Sequence, residues 1–294
     1  MQNKLILRAA LLATIALWPV LTTGQDKLGK AALELSAHPF ASSNKVPESI
    51  EELRSLEKHV AKVVKRVTPA IIGIGGGSGV VIDDEGHILT VGHVGARANR
   101  QVQITFPDGK RVRGKTLGNN RGVDSGMAKL SQEGGWPHVE MGDSSKVKVG
   151  QWCLAIGFPS SFTRGQQPPV RIGRVLSISE RTIVTDCPLM GGDSGGPLFD
   201  LQGKVIALSS RVGGSILSNV HVPVNMYTKE WDRLVAGEDW NDRSPQSARG
   251  RRRVPQRPPM ENEKKEDSKA DSKPKEESKT ESKPKSESKS KSKS

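Results

Sequence analysis

Gly191-Gly192-Asp193-Ser194-Gly195-Gly196-Pro197-Leu198 decides how this chain is read. A serine hydroxyl is a weak nucleophile until a neighbouring base takes its proton. It also needs backbone N–H groups aimed at the oxygen that becomes negative during acyl transfer. Glycines on both sides let the chain turn sharply and bring those N–H groups forward with no Cβ in the way. Alone, such a string also fits a tight turn between strands, so its meaning depends on what lies upstream. There, Ile88-Leu89-Thr90-Val91-Gly92-His93 puts a histidine just after an apolar, strand-like run. Asp124 opens Asp124-Ser125-Gly126-Met127-Ala128-Lys129-Leu130, the approach to another such run. Histidine, aspartate and serine in that chain order are one of the known arrangements of a nucleophilic triad. The expected roles are Ser194 as nucleophile, His93 as general base and Asp124 as the carboxylate that orients the imidazole. His38, His59, His87 and His138 lack such surroundings and are expected to be ordinary surface or core residues.

Around these residues the sequence alternates short apolar runs with turns rich in Gly, Pro, Asn or Asp. Strands are expected at 70–74, 80–82, 88–91, 102–106, 111–118, 127–130, 152–156, 170–179, 182–185, 196–199, 205–209 and 220–224. Many short strands with few helices predict an all-β barrel or sandwich. One helix is expected after Pro47: Ser49 and Glu52 stand in capping-box spacing, and Ile50, Leu53, Leu56, Val60, Val63, Val64 and Val67 recur at helical intervals. A short closing helix is expected at 227–235. The glycines at 75–79 read as a loop and fit no nucleotide motif, since no helix follows them. No metal-ligand cluster or cofactor fingerprint is present in the sequence, so neither metal nor cofactor is expected.

Further strings resemble the HtrA (Deg-type) branch of trypsin-like serine proteases. These are Gly77-Ser78-Gly79-Val80-Val81-Ile82-Asp83 through to His93, Met141-Gly142-Asp143-Ser144 followed by Val149-Gly150-Gln151-Trp152 and Ala155-Ile156-Gly157, and Thr185-Asp186 leading into the serine motif. The resemblance runs from about Val60 to Val224. It implies a trypsin-like double antiparallel β-barrel with the site in the cleft between two six-stranded barrels. It also implies an oxyanion hole from the N–H groups of Gly192 and Ser194, protein or peptide substrates, and a homotrimer. The sequence departs from that family where Asp193 precedes the serine, where Ser125 and Gly126 follow Asp124, and where no PDZ sequence follows, so regulation through a PDZ domain is not expected. Residues just before the serine motif build the primary specificity pocket in such folds. Here they are Pro188 and Leu189, with no carboxylate to receive Arg or Lys, so an aliphatic or small residue is expected on the acyl side of the cut. His221 has two readings: a pocket-wall cation favouring acidic side chains, or an outward-facing strand residue. The resemblance also implies that Cys153 and Cys187 do not pair.

The chain has 294 residues and a formal net charge of +13, unevenly spread. Residues 1–24 read as a cleaved export signal: Lys4 and Arg8, an apolar run from Ala9 to Val20, then small residues at Thr22 and Gly24. Localisation is therefore expected in the periplasm, cell envelope or medium. A flexible segment is expected at 25–46 and a protease domain at 47–241. Residues 242–294 carry 17 Lys/Arg and 10 Asp/Glu among Ser and Pro, with almost nothing apolar, and read as a disordered tail. Without the tail and the signal the charge is only mildly basic, so nucleic acid is not an expected partner. Two further readings stay open: an inactive protease fold used as a binding module, and a tail that tethers the chain to an anionic envelope surface.

Overall fold

The computed structural model describes residues 33–158 and 167–242. The expected export signal, and the expected tail beyond residue 242, lie outside the described residues. No helix among the described residues is long and apolar enough to cross a membrane.

Helix α1 (Ile50–Val67) is capped as its sequence predicts at one end of the box: the Ser49 hydroxyl accepts the Glu52 N–H at 3.1 Å. The Glu52 carboxylate turns instead to the N–H of Glu48, at 2.8 Å. Leu56, His59, Val63 and Val67 form its buried face, whereas Ile50 and Leu53, expected on that face, are exposed.

Thirteen strands follow among the described residues. The first barrel is built from β1 (Ile71–Ile74), β2 (Gly77–Val81), β3 (His87–Val91), β4 (Gln101–Thr105), β5 (Arg111–Asn120) and β6 (Ser125–Leu130). Its strands pair antiparallel in the cyclic order β1-β2-β3-β6-β5-β4, closed by the β5–β6 and β1–β4 ladders. The second barrel comprises β7 (Trp152–Ile156), β8 (Val170–Ile178), β9 (Ile183–Thr185), β10 (Pro197–Phe199), β11 (Val205–Ser215) and β12 (Ser218–Pro223), closed in the order β10-β11-β12-β9-β8-β7. Closure leaves none of the twelve barrel strands with a free edge. The chain thus has the all-β, double-barrel fold that its sequence predicts. Three details differ. The β2 strand begins at Gly77, inside the expected loop. The β11–β12 pair reaches out to Ser215 and Ser218 as a long hairpin. The closing helix is broken into α3 (Val224–Lys229) and α4 (Trp231–Val235), after which β13 (Asp239–Trp240) adds to β5 in parallel.

Each barrel has its own apolar filling: Ile72, Ile88, Ile104 and Phe106 among others in the first, and Cys153, Val175, Ile183 and Leu198 in the second. Cys153 and Cys187 are free, buried thiols with their sulfurs 3.8 Å apart. A third cluster joins the barrels through Leu89, Val91 and Met127 on one side and Leu154, Phe199 and Leu208 on the other.

Within the segment expected to be flexible, 25–46, residues 33–46 pack against α1 and the second barrel. Leu35, Phe40 and Ala41 are buried beside α1, each about 2–4% exposed. Further on, the Asn44 and Lys45 carbonyls accept from the Arg174 guanidinium, and Lys45 O also accepts the Trp152 indole N–H at 2.9 Å. Arg174 lies flat over Trp152, 3.4 Å from the ring centroid, a cation–π stack that fixes the donor pair. A few well-spaced anchors suffice to hold such a strap, and they leave no periodic signature in the sequence.

Candidate active site

His93 and Asp124 are in direct contact, and Ser194 is linked to them through Ser210. His93 sits in the single helical turn α2 (Gly92–Gly95) directly after β3. Asp124 lies in the turn between β5 and β6, with φ +67°. A left-handed backbone costs a residue with a Cβ about 1–2 kcal/mol, and the turn is held there by its bonds. The Asp124 carbonyl accepts the Gly92 N–H at 2.9 Å, and its carboxylate accepts the His93 N–H, also at 2.9 Å. His93 Nδ1 lies 3.1 and 3.0 Å from the two carboxylate oxygens. The Ser210 hydroxyl donates to Asp124 Oδ2 at 2.6 Å.

These contacts set the charges. The bond to Asp124 raises the His93 pKa above its ordinary 6.5, against a smaller opposing effect of burial. For Asp124, burial pushes the pKa up, but the bonds from His93 and Ser210 outweigh it and hold the carboxyl below its ordinary value. The result is an ionised carboxylate facing Nδ1, which leaves Nε2 as the ring nitrogen open to solvent and to a partner.

Ser194 follows a tight turn in which Gly192 has φ +95° and Gly195 φ +85°. An added Cβ at Gly195 would collide with the Ser78 carbonyl and the Thr90 hydroxyl, so only glycine lets the turn approach β2 and β3 so closely. The Ser194 hydroxyl points to the Ser210 carbonyl at 3.3 Å, a long O–H···O contact, and not to His93. The N–H groups of Gly192 and Ser194 find no acceptor among the described residues. Ser78 braces the same loop: its hydroxyl donates to the Gly192 carbonyl at 2.7 Å and accepts the Phe158 N–H at 2.8 Å.

Asp193 is buried, 2% exposed, and forms a two-pronged ion pair with Arg171 of β8: Nη1 donates to Oδ1 and Nη2 faces Oδ2, each at 2.9 Å. Asp193 Oδ2 also accepts the Met190 N–H at 2.8 Å. Burial raises the Asp193 pKa, and Met190 and Arg171 oppose that rise. Sequence reasoning missed Arg171, Ser210 and Ser78. The one available signal was Asp193 itself, a carboxylate in an otherwise apolar turn that needs a cation if buried.

Of the expected specificity residues, Leu189 is buried and Pro188 half-buried beside it. His221 is a correction to both of its readings. It is wholly buried within the second barrel, with Nε2 2.8 Å from the Thr185 hydroxyl and Nδ1 3.4 Å from that of Ser209. Burial lowers its pKa to about 3, so at neutral pH it offers no charge to a substrate. Gly73, Gly75, Gly76, Gly77, Val102 and Phe158 help to line an open cavity of about 450 Å³ whose lining includes none of the candidate catalytic residues. An added Cβ at Gly77 would lie 2.7 Å from the Ser194 carbonyl, so the bare backbone brings this wall up to the serine. A larger cavity, about 720 Å³, opens near Asp143, Lys148 and Asp200 and includes none of the candidate catalytic residues. Among the described residues no group of three or more His, Cys, Asp or Glu is placed to hold a metal ion.

Residues 77–208 match the family described as the trypsin-like peptidase domain. A probable periplasmic serine endoprotease, DegP-like, of Pseudomonas putida is 31% identical over 158 residues, covering 51% of this chain and 33% of its own. Its namesake in Rickettsia conorii is 29% identical over 201 residues, 66% of this chain and 37% of that one. The chain therefore spans about a third of the length of the curated relatives it matches. Among solved structures, an HtrA-type protease AlgW with tripeptide superposes with a TM-score of 0.52 at 27% identity, over 60% of this chain and 63% of that one.

Proposed function

We infer that this chain, which carries a trypsin-like peptidase domain similar to those of HtrA-type proteases, is an exported serine endopeptidase. The observation that carries the reading is His93: Asp124 engages its Nδ1 from both oxygens, so Nε2 is the nitrogen left to take a proton. In this mechanism the Ser194 hydroxyl leaves its long contact with Ser210 and gives its proton to His93 Nε2 as Oγ attacks the scissile carbonyl. The Gly192 and Ser194 N–H groups receive the oxyanion. Protonated His93 then protonates the leaving amine, and water, deprotonated by the same imidazole, releases the acyl group. Asp124 stays ionised throughout and holds the ring. Oxyanion-hole donors of this kind contribute roughly 10²–10³ in kcat each.

The acyl-side pocket, walled by Pro188 and Leu189 and bearing no carboxylate, suits an aliphatic or small side chain. An Arg or Lys buried there would be unpaired and strongly penalised. We take the substrates to be unfolded or misfolded exported proteins; the relatives named periplasmic endoproteases support the exported setting. Cleavage-site profiling of an unfolded protein with the purified chain and its Ser194→Ala variant tests the reading. Cuts made by the native chain and absent with Ser194→Ala are expected. Equal cleavage by both would overturn it.

A further inference from the structure

Ser125 and Gly126, which stand where the HtrA pattern has an apolar residue and alanine, change what surrounds Asp124. Gly126 lets β6 run close under β3: an added Cβ would lie 3.0 Å from the Val91 carbonyl and 3.2 Å from Gly92 Cα. Ser125 brings a hydroxyl into a fully buried position, and Asn120, its ladder partner across the β5–β6 pair, brings a fully buried amide. These two residues are the feet of the turn that carries Asp124.

Both feet rest on one side chain. Glu230, at the junction of α3 and α4, is 9% exposed. Its Oε1 accepts the Asn120 amide at 2.6 Å and its Oε2 accepts the Ser125 hydroxyl at 2.7 Å. Asn120 in turn accepts the Gly122 N–H at 2.8 Å through its own oxygen, so the network reaches into the turn. The closing segment reinforces it from outside: Arg121 N–H donates to the Trp240 carbonyl and Asn119 N–H to that of Glu238, each at 2.8 Å. Arg233 and Asp242 are the other charged groups that act on Glu230.

We propose that Glu230 is a positioning residue for the reaction: it holds the Asp124 turn in register with His93, so turnover depends on a side chain that touches neither substrate nor reacting atoms. The proposal rests on the serine-protease reading. Asp124 occupies a left-handed backbone that its surroundings must hold. With Glu230 removed, a buried amide and a buried hydroxyl at the feet of the turn lose their acceptors together. The turn then relaxes, and the Asp124 carboxylate no longer meets His93 Nδ1 squarely. Misplacing a catalytic group by about 1 Å costs on the order of 10²-fold in rate.

The test uses the full chain. Glu230→Leu keeps the bulk and removes both acceptors. Glu230→Gln can keep both bonds, its oxygen accepting from Asn120 and its amide donating to a Ser125 hydroxyl that has rotated. Glu230→Leu is expected to lower kcat by roughly 10–100-fold with KM within about twofold, and Glu230→Gln to recover turnover to within about threefold of wild type. A second readout needs no activity. In a Ser194→Ala background, NMR titration of His93 should show its pKa falling towards 6.5 in Glu230→Leu and not in Glu230→Gln, because the bond to Asp124 is what raises it. A fall in kcat with the His93 titration unmoved would assign Glu230 a merely structural role and overturn the proposal. So would wild-type kcat and titration in Glu230→Leu. If Glu230→Leu does not fold, Ser125→Ala, which removes one of the two bonds, faces the same criteria with a smaller expected loss. A His93 shift in a chain whose native form cleaves nothing would sink the protease reading and leave the positioning role standing.

Discussion

Arg171 and Asp193 set the shape of the loop that aims the Gly192 and Ser194 N–H groups, and Arg171→Met exposes how much depends on that pair. The pair is deeply buried, with the Asp193 side chain 2% and the Arg171 side chain 13% exposed. Deleting one partner of a buried ion pair costs about 3–5 kcal/mol, because the survivor is left charged and unpaired. For a domain of this size that corresponds to a fall in Tm of roughly 6–20 °C. The loss also reaches function. Asp193 holds the Met190 N–H, so the 190–194 loop is tied to the position of that carboxylate. Once Asp193 takes a proton or swings towards water, the two N–H groups no longer converge, and kcat should drop by roughly 10²-fold, the scale of losing one oxyanion donor. Fluorophosphonate labelling of Ser194 should slow in parallel. The double variant Arg171→Met/Asp193→Asn removes the stranded charge and should regain most of the lost Tm. Wild-type turnover and labelling in folded Arg171→Met would refute the argument, because the loop would then hold its shape without the pair.

Other expectations follow from the same geometry. His93→Ala should abolish hydrolysis nearly as fully as Ser194→Ala, and Asp124→Asn should cost about 10⁴-fold in kcat by stabilising the wrong tautomer; near-normal turnover in either purified variant would count against the assigned roles. In the proposed mechanism His93 must be neutral to take the serine proton, and its pKa is raised, so kcat/KM should climb with pH through a midpoint above 6.5. The same shift contributes stability below pH 6.5 that is lost as pH rises through the folded-state value; a midpoint below 6.5 would contradict both statements. Asp200 is buried, with a pKa raised to about 6 from 3.8, so its ionisation destabilises the fold as pH rises between those values. Its Oδ1 accepts the N–H groups of Gln202 and Lys204, bonds an amide oxygen can keep, so Asp200→Asn should be more stable by up to about 3 kcal/mol above pH 7, read from urea unfolding at pH 4 and pH 8. A peptide library should show cleavage after aliphatic or small residues; dominant cleavage after Asp or Glu would mean that His221 leaves its buried site and takes a proton.

The parts of the fold written in the sequence are those fixed by local chemistry. Glycine and aspartate turns between short apolar runs give away nearly every strand, and the flanks of His93, Asp124 and Ser194 single them out as candidates before any contact is known. Closure in three dimensions leaves no such trace. Arg171, Ser210 and Glu230 act on residues 22, 86 and 105 positions away in the chain, and nothing in their own surroundings marks them. His221 was unreadable for a different reason. Val222 and Pro223 beside it are also buried, so alternation along β12 cannot say which face points inward. The apolar spacing of 227–235 predicts one continuous helix and hides the break at Glu230, whose backbone leaves helical geometry at ψ 7°.

The order of the second barrel bears on where this protein can be cut. The stretch that matches the trypsin-like peptidase domain ends at Leu208, within β11. A recombinant fragment drawn to that boundary would lack β12, the stave between β11 and β9, and the barrel would stand open along two unpaired edges. Started at Gly77, it would also lose β1 and α1 and bare the apolar surface that Val63 and Val67 cover. A piece that keeps both barrels closed, the packing around α1 and the β13–β5 pairing runs from Leu35 to Trp240. The family match and the packed body of the protein therefore draw different borders on this chain.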